Sequence, residues 1–140
     1  MPEPLVLLTD VDIAPEQFLE FLKTIGAVIH PDEIYDGRVS QGNQHVWIVL
    51  ETREQLQRLL EDLEEQDISI IESIKEDLGI LPRSSVLLDI NAYARSSGFA
   101  ANIICAFAKQ WPCIAYDLVA RMYSKDDLQS LCKEGRNFMT

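Results

Sequence analysis

The sequence predicts an α/β (α+β) fold: a single domain in which helices pack on a mixed β-sheet. Three observations lead there. Short apolar runs of strand length alternate with longer stretches of helical periodicity. The chain has 140 residues, enough for one compact domain with a sizeable core. Apolar residues make up 47% and charged residues 25%, a globular rather than a disordered balance.

The elements follow in order. "PLVLLTD" reads as a buried strand. In "DIAPEQFLEFLKTIG", Asp12 is placed to cap a helix and Pro15 suits its first turn. Phe18, Leu19, Phe21, Leu22 and Ile25 make the apolar stripe, and Gly26 fits the position after the last turn. "AVIH" is a second short strand. "PDEIYDGRVSQGNQ" reads as a polar loop or hairpin with Asp36-Gly37 as its turn signal. "HVWIVLE" is a strong strand. "TREQLQRLLEDLEEQ" is an amphipathic helix, with Thr52 and Gln55 at capping-box spacing and Leu56, Leu59, Leu60 and Leu63 on one face.

"DISIIESIKEDLG" fits either a helix or an isoleucine-rich strand. Ser69 with Glu72 and a terminal Gly79 favour a helix near residues 70–78. "SSVLLDIN" is a strand, and "SGFAANIICAFAKQW" a helix apolar nearly all round, hence central and buried. "PCIAYD" and "ARMYS" suggest two more strands. "SKDDLQSLCKEG" is a last helix capped by Ser124 and stopped near Gly135. Both halves then read β-α-β-β-α. "VLL" at residues 6–8 recurs at 86–88, and "TREQLQRL" echoes "SKDDLQSL". This suggests two pseudo-repeats, half-units 1–66 and 84–135 joined by a linker at 67–83.

Charge is the most informative bulk property. The net is −11. Residues 1–77 carry 18 Asp/Glu against 5 Lys/Arg, a net of −13, while residues 78–140 carry 5 against 7, a net of +2. A surface this acidic repels phosphate backbones, so direct nucleic-acid binding is disfavoured. It suits a basic partner, although acidic charge also serves solubility alone. "MPEPLVLLTD" has no basic start or long apolar core, so it is not read as a secretory signal. No stretch approaches the ~18 apolar residues of a membrane span. The expected location is the cytoplasm, without membrane contact. Cys105, Cys113 and Cys132, odd in number among apolar neighbours, are expected to be reduced buried thiols.

Chemistry-bearing motifs are few. Asp10 and Asp12 in "LLTDVD" resemble the strand-end Asp-x-Asp of haloacid-dehalogenase-like phosphatases, which would make a metal-dependent phosphohydrolase. That family expects a later lysine and a second acidic pair; here lysine is scarce with none at a strand end, and Ile13, Ala14 and Pro15 depart from its pattern. Helix capping by Asp12 is the favoured reading. His30 and His45 lack ligand partners at metal spacing, and Cys105 on an apolar helix would stay protonated. Asp117 is expected to form an ion pair with Arg121 or a turn. Trp47 and Trp111 are expected in the core, with an interface role as the alternative. No catalytic residue, metal or cofactor is expected.

One resemblance spans residues 45–131: "HVWIVL", an amphipathic helix, "LGILPRSSVLLDI", a long apolar helix ending "WP", then "CIAYD" and "YSKDDLQSL". This pattern resembles immunity proteins of bacterial polymorphic toxin systems, in particular those of contact-dependent growth inhibition. The resemblance implies no enzyme activity. It implies tight binding to a cognate toxin C-terminal domain, often a nuclease, with the toxin's active site occluded. The candidate partner-binding residues are Asp32, Glu33, Tyr35 and Asp36 in the loop, and Glu61, Asp62, Glu64, Glu65 and Asp67 at the acidic helix end. A small ligand-binding regulatory domain is the other alternative.

Overall fold

β1 (Glu3–Thr9) is the strand around which the rest is built. Leu5, Val6, Leu7 and Leu8 are all buried, on both faces of the strand, which requires a layer on each side. The structure, a computed structural model, describes residues 3–96, 98–118 and 122–134. β5 (Ser84–Ile90) pairs with one edge of β1, setting Leu5 opposite Leu88 and Leu7 opposite Val86. β6 (Cys113–Tyr116) pairs with the other edge. With β2 (Val28–Ile29), β3 (Gly37–Gln41), β4 (Gln44–Leu50) and β7 (Met122–Tyr123), the order is β2-β3-β4-β5-β1-β6-β7.

The α+β class and the single domain are as expected. The sheet is not of mixed sense, however: every ladder among the described residues is antiparallel. At β3–β4 the reason is local. Gly42 and Asn43 alone separate the strands, and so short a turn can only reverse the chain. Gly42 takes φ +61, which costs glycine nothing. The expected turn at Asp36-Gly37 is instead the entry to β3. A Cβ at Gly37 would lie 3.0 Å from Leu22 Cδ1, so a larger residue there would require the Leu22 side chain to shift.

One face of the sheet carries α1 (Pro15–Thr24), α4 (Ala92–Ser96), α5 (Phe99–Gln110) and α6 (Lys125–Glu134). Phe18, Phe21, Leu22, Ile104, Phe107, Trp111 and Leu128 pack there on Leu5, Leu7, Val46, Ile48, Val86, Leu88 and Ile90. The other face carries α2 (Arg53–Gln66) and α3 (Ile68–Leu78), which set Leu56, Leu63, Ile71, Ile74 and Leu78 on Val6, Leu8, Ile114 and Tyr116.

Helix ends follow the sequence signals in most places. Thr52 Oγ1 accepts from Gln55 N at 3.1 Å and Gln55 Oε1 accepts from Thr52 N at 2.8 Å, a complete capping box. Gly26 closes α1 with a paired 6→1 and 5→2 ending: Ala27 N donates to Leu22 O and Gly26 N to Lys23 O. The ambiguous segment is helical, but its cap is Asp67, which accepts from Ser69 N at 3.1 Å. Asn91, through Oδ1, caps the short α4.

Two further expectations are corrected. Asp12 does not cap α1. Ile13 N donates to Ser84 Oγ at 2.9 Å, which keeps the chain extended to Ala14, and exposed Asp12 meets Arg53 at 2.9 Å instead. Nor are all three cysteines thiols. Cys105 of α5 and Cys132 of α6 form a disulfide, their Cα atoms 5.7 Å apart, and only Cys113 is free. An odd count permits one bridge and one buried thiol, and no pairing can be read from spacing alone. The expected stop at Gly135 and the partner Arg121 lie outside the described residues. The echoed residues also differ in place. Val6 faces α2 and α3 while Val86 faces α1 and α5, and α2 and α6 lie on opposite faces, so the echo is of pattern rather than position.

Candidate functional site

Alternation along β3, β4 and β5 builds one surface. Val39, Val46, Ile48, Leu88 and Ile90 point into the first layer. Arg38, Ser40, His45, Trp47 and Asp89 therefore point to the opposite face. There α2 contacts β5 and α3 contacts β6. The two helices cover the β5–β1–β6 side and leave the β3–β4 side without a helical layer. Trp47 is half-buried and belongs to neither apolar cluster, contrary to the expectation that it sits in the core. Trp111 does sit there, with ring centroids 5.3 Å from Phe21 and 5.0 Å from Phe107.

The register sets a row across this face. Arg38 stands opposite Trp47 and Trp47 opposite Asp89. The next strand out places Val28, 50% exposed, opposite Arg38. His45 and Tyr35 flank Trp47, at ring-centroid distances of 5.7 and 6.5 Å. His45 Nδ1 and Ser40 Oγ are 2.8 Å apart. The Tyr35 hydroxyl donates to the Asp89 carboxylate. Burial, then this bond and the charge of Asp89, push the phenol up to about 12. Arg38 Nε is buried and has no hydrogen-bond partner among the described residues.

The loop before β3 is tied down by its own side chains. Asp32 Oδ1 accepts from Ile34 N and Tyr35 N, both at 2.8 Å, an Asx turn that projects Ile34 into solvent at 72% exposure. Asp36 Oδ2 accepts from Leu50 N at 2.8 Å, which fixes the loop to the end of β4. Of the four loop candidates, Tyr35 thus borders the open face, Asp32 and Asp36 are spent on backbone, and Glu33 is exposed. Glu61, Asp62, Glu64 and Glu65 are exposed on α2, and Asp67 caps α3. This end of α2 lies toward β6, where the charge of Asp67 reaches the Tyr116 phenol. The loop and the helix end therefore do not form one acidic cluster, since β5 and β1 lie between β4 and β6.

Arg38 and Asp89 are absent from the candidates drawn from sequence, His45 is weighed there only as a metal ligand, and Trp47 carries an interface role only as the alternative. Period-2 alternation in "GRVSQ", "QHVWIVL" and "SSVLLDI" is the signal for one side of each strand, and the register brings the three sides together. Elsewhere, Asp12 is held by Arg53, and among the described residues no group of three His, Cys, Asp or Glu is placed to hold a metal. His30 lies in the left-handed region at φ 50, its N–H bonded to Asp36 O at 2.8 Å. A groove of about 470 Å³ lies between Arg53, Arg83, Leu56, Leu60 and Pro82. Among the described residues no helix is long and apolar enough to cross a membrane. The chain matches no protein-family model, no curated protein and no solved structure.

Proposed function

We propose that this chain is a protein-binding module of the immunity type, which binds and neutralises a basic toxin domain, a nuclease being the expected class, by covering its active site. The observation that carries the reading is the open sheet face. Trp47, Tyr35 and exposed Val28, with Arg38 among them, form a largely aromatic and apolar surface on the acidic half of the chain. Docking surfaces combine such anchors with charge that steers the partner in. Steering by a net charge of −13 over residues 1–77 favours a cationic partner. No catalytic step is assigned to the chain's own residues.

A toxin of this class acts inside the cell, so the proposed location is the cytoplasm. The Cys105–Cys132 disulfide is uncommon in that compartment, where most thiols are kept reduced. The test is a pull-down with the tagged protein from lysate, identification of the captured polypeptide, and calorimetric titration of that polypeptide at low salt and at about 0.5 M salt. A one-to-one complex of roughly nanomolar affinity that weakens with salt supports the reading. Absence of a complex at either salt removes it.

A further inference from the structure

The Cys105–Cys132 bridge stands in the half of the chain that escapes the acidic charge: residues 78–140 carry a net of +2 against −13 for residues 1–77. The bridge is not enclosed. Both cysteines are half-buried, and both line an open groove of about 500 Å³ between α5 and α6. Pro112 and Leu128 give the groove apolar lining. Lys109 and Lys133, both exposed, give it its charge, and among the described residues no Asp or Glu lines it. Lys109 follows Cys105 by four residues and so shares that face of α5, while Lys133 follows Cys132 directly. The third cysteine differs. Cys113 is buried, and burial pushes its thiol up to about 12, so it stays protonated and inert. The groove lies on the side of the sheet opposite Trp47, apart from the docking surface proposed above.

We propose that this groove is a thiol–disulfide exchange site for anionic low-molecular-mass thiols, small molecules that carry a carboxylate or sulfonate besides the sulfur. A thiolate entering the groove bonds to one bridge sulfur; the Cys105–Cys132 bond breaks, and its electron pair stays on the other sulfur as a thiolate. A second thiolate attacks the mixed disulfide, which frees the remaining cysteine and releases the small molecule as its own symmetrical disulfide. Two small thiols are oxidised and the bridge is reduced, so no other oxidant enters, and the symmetrical disulfide restores the bridge by the same steps in reverse. Attacking and leaving sulfurs are both anionic. The two ammonium groups at the groove raise the local concentration of an anionic thiol and stabilise the thiolate that leaves. The net charge of −11 acts the other way and favours a cationic thiol, but exposed charges are screened beyond about 10 Å, so the adjacent lysines decide. Disulfides found among reduced cytosolic thiols are usually exchanging ones, which suits the location proposed above. The inference goes beyond the protein-binding reading and does not depend on it.

The test uses the intact oxidised protein and three small probes: anionic mercaptoethanesulfonate, neutral mercaptoethanol and cationic cysteamine. Bridge loss is timed by alkylating the released thiols and weighing the protein. Each rate is divided by thiolate concentration and by the same thiol's rate on hydroxyethyl disulfide, an uncharged reference that removes differences in nucleophilicity. The sulfonate should then react about threefold or more faster than cysteamine. Its acid-quenched adduct should map to Cys105 or Cys132 and not to Cys113. About 0.5 M sodium chloride should level the three rates, and Lys109→Gln combined with Lys133→Gln should put cysteamine first. Both lysines are exposed, so matched melting curves are expected for the variant. The native order and its salt dependence decide the proposal even without that variant. A bridge inert to all three thiols, cysteamine fastest on the native protein, or an order unmoved by salt would overturn it.

Discussion

At the scale of single residues, the loop that borders the open face is held by two aspartates with different tasks. Asp36 binds the Leu50 amide, so Asp36→Ala leaves that half-buried donor without its acceptor. A loss of about 1–2 kcal/mol in stability by urea unfolding is expected, with Asp36→Asn largely restoring it. Tyr35 is tied to Asp89, and its folded phenol titrates at about 12 against 10.0 in the unfolded chain. A raised folded pKa means that the native state holds its proton more tightly. The stability it contributes is complete below pH 10 and is lost as pH rises from about 10 to 12. Burial raises the Cys113 thiol to about 12 in the same sense. Tyr35→Phe should flatten the alkaline loss of stability in melting curves between pH 9 and 12. An unchanged slope would assign that loss to other groups.

At the scale of elements, most helices and strands were legible because cap chemistry and apolar period agree with the tertiary structure. The Thr52–Gln55 box and the Gly26 and Gly79 endings are local rules, and tertiary packing does not override them. β3 was legible only as one of two readings, loop or hairpin. "GRVSQ" has one buried apolar residue, Val39, and its other face carries Arg38 and Ser40, so the strand is decided only when β4 pairs with it. α4 was hidden for a similar reason, being five residues capped by Asn91. The Cys105–Cys132 bridge was invisible because it joins two cysteines 27 residues apart in sequence, on different helices. It ties α6, seated by Leu128, to α5, while Lys125 N also binds Asp77 of α3 at 2.9 Å. Reduction should cost about 3.5 kcal/mol by the loop-closure relation. It should lower the melting temperature in dithiothreitol for the native chain and leave the Cys132→Ser protein unmoved.

At the scale of the whole molecule, the asymmetry between the two faces of the sheet is the central fact. One face is fully roofed by four helices. The other has two, and both stand over β5, β1 and β6. The charge asymmetry of the chain was plain in its sequence, but the open face was not. Strand order decides which half of a face stays bare, and short apolar strands do not encode order. Trp47 is the clearest case: its neighbours Val46 and Ile48 are buried, and only the helix positions show that Trp47 itself lacks a layer above it. The acidic end of α2 was legible as charge, yet its separation from the loop candidates was not.

The measurement that tests the account most directly is calorimetric titration of the polypeptide captured by the tagged protein, run with the native protein and with Trp47→Ala. Loss of roughly 2–4 kcal/mol of binding free energy, with melting temperature nearly unchanged because Trp47 lies outside both cores, is the predicted result. Binding as tight with Trp47→Ala as with the native protein would contradict the claim that the open sheet face is where the partner docks.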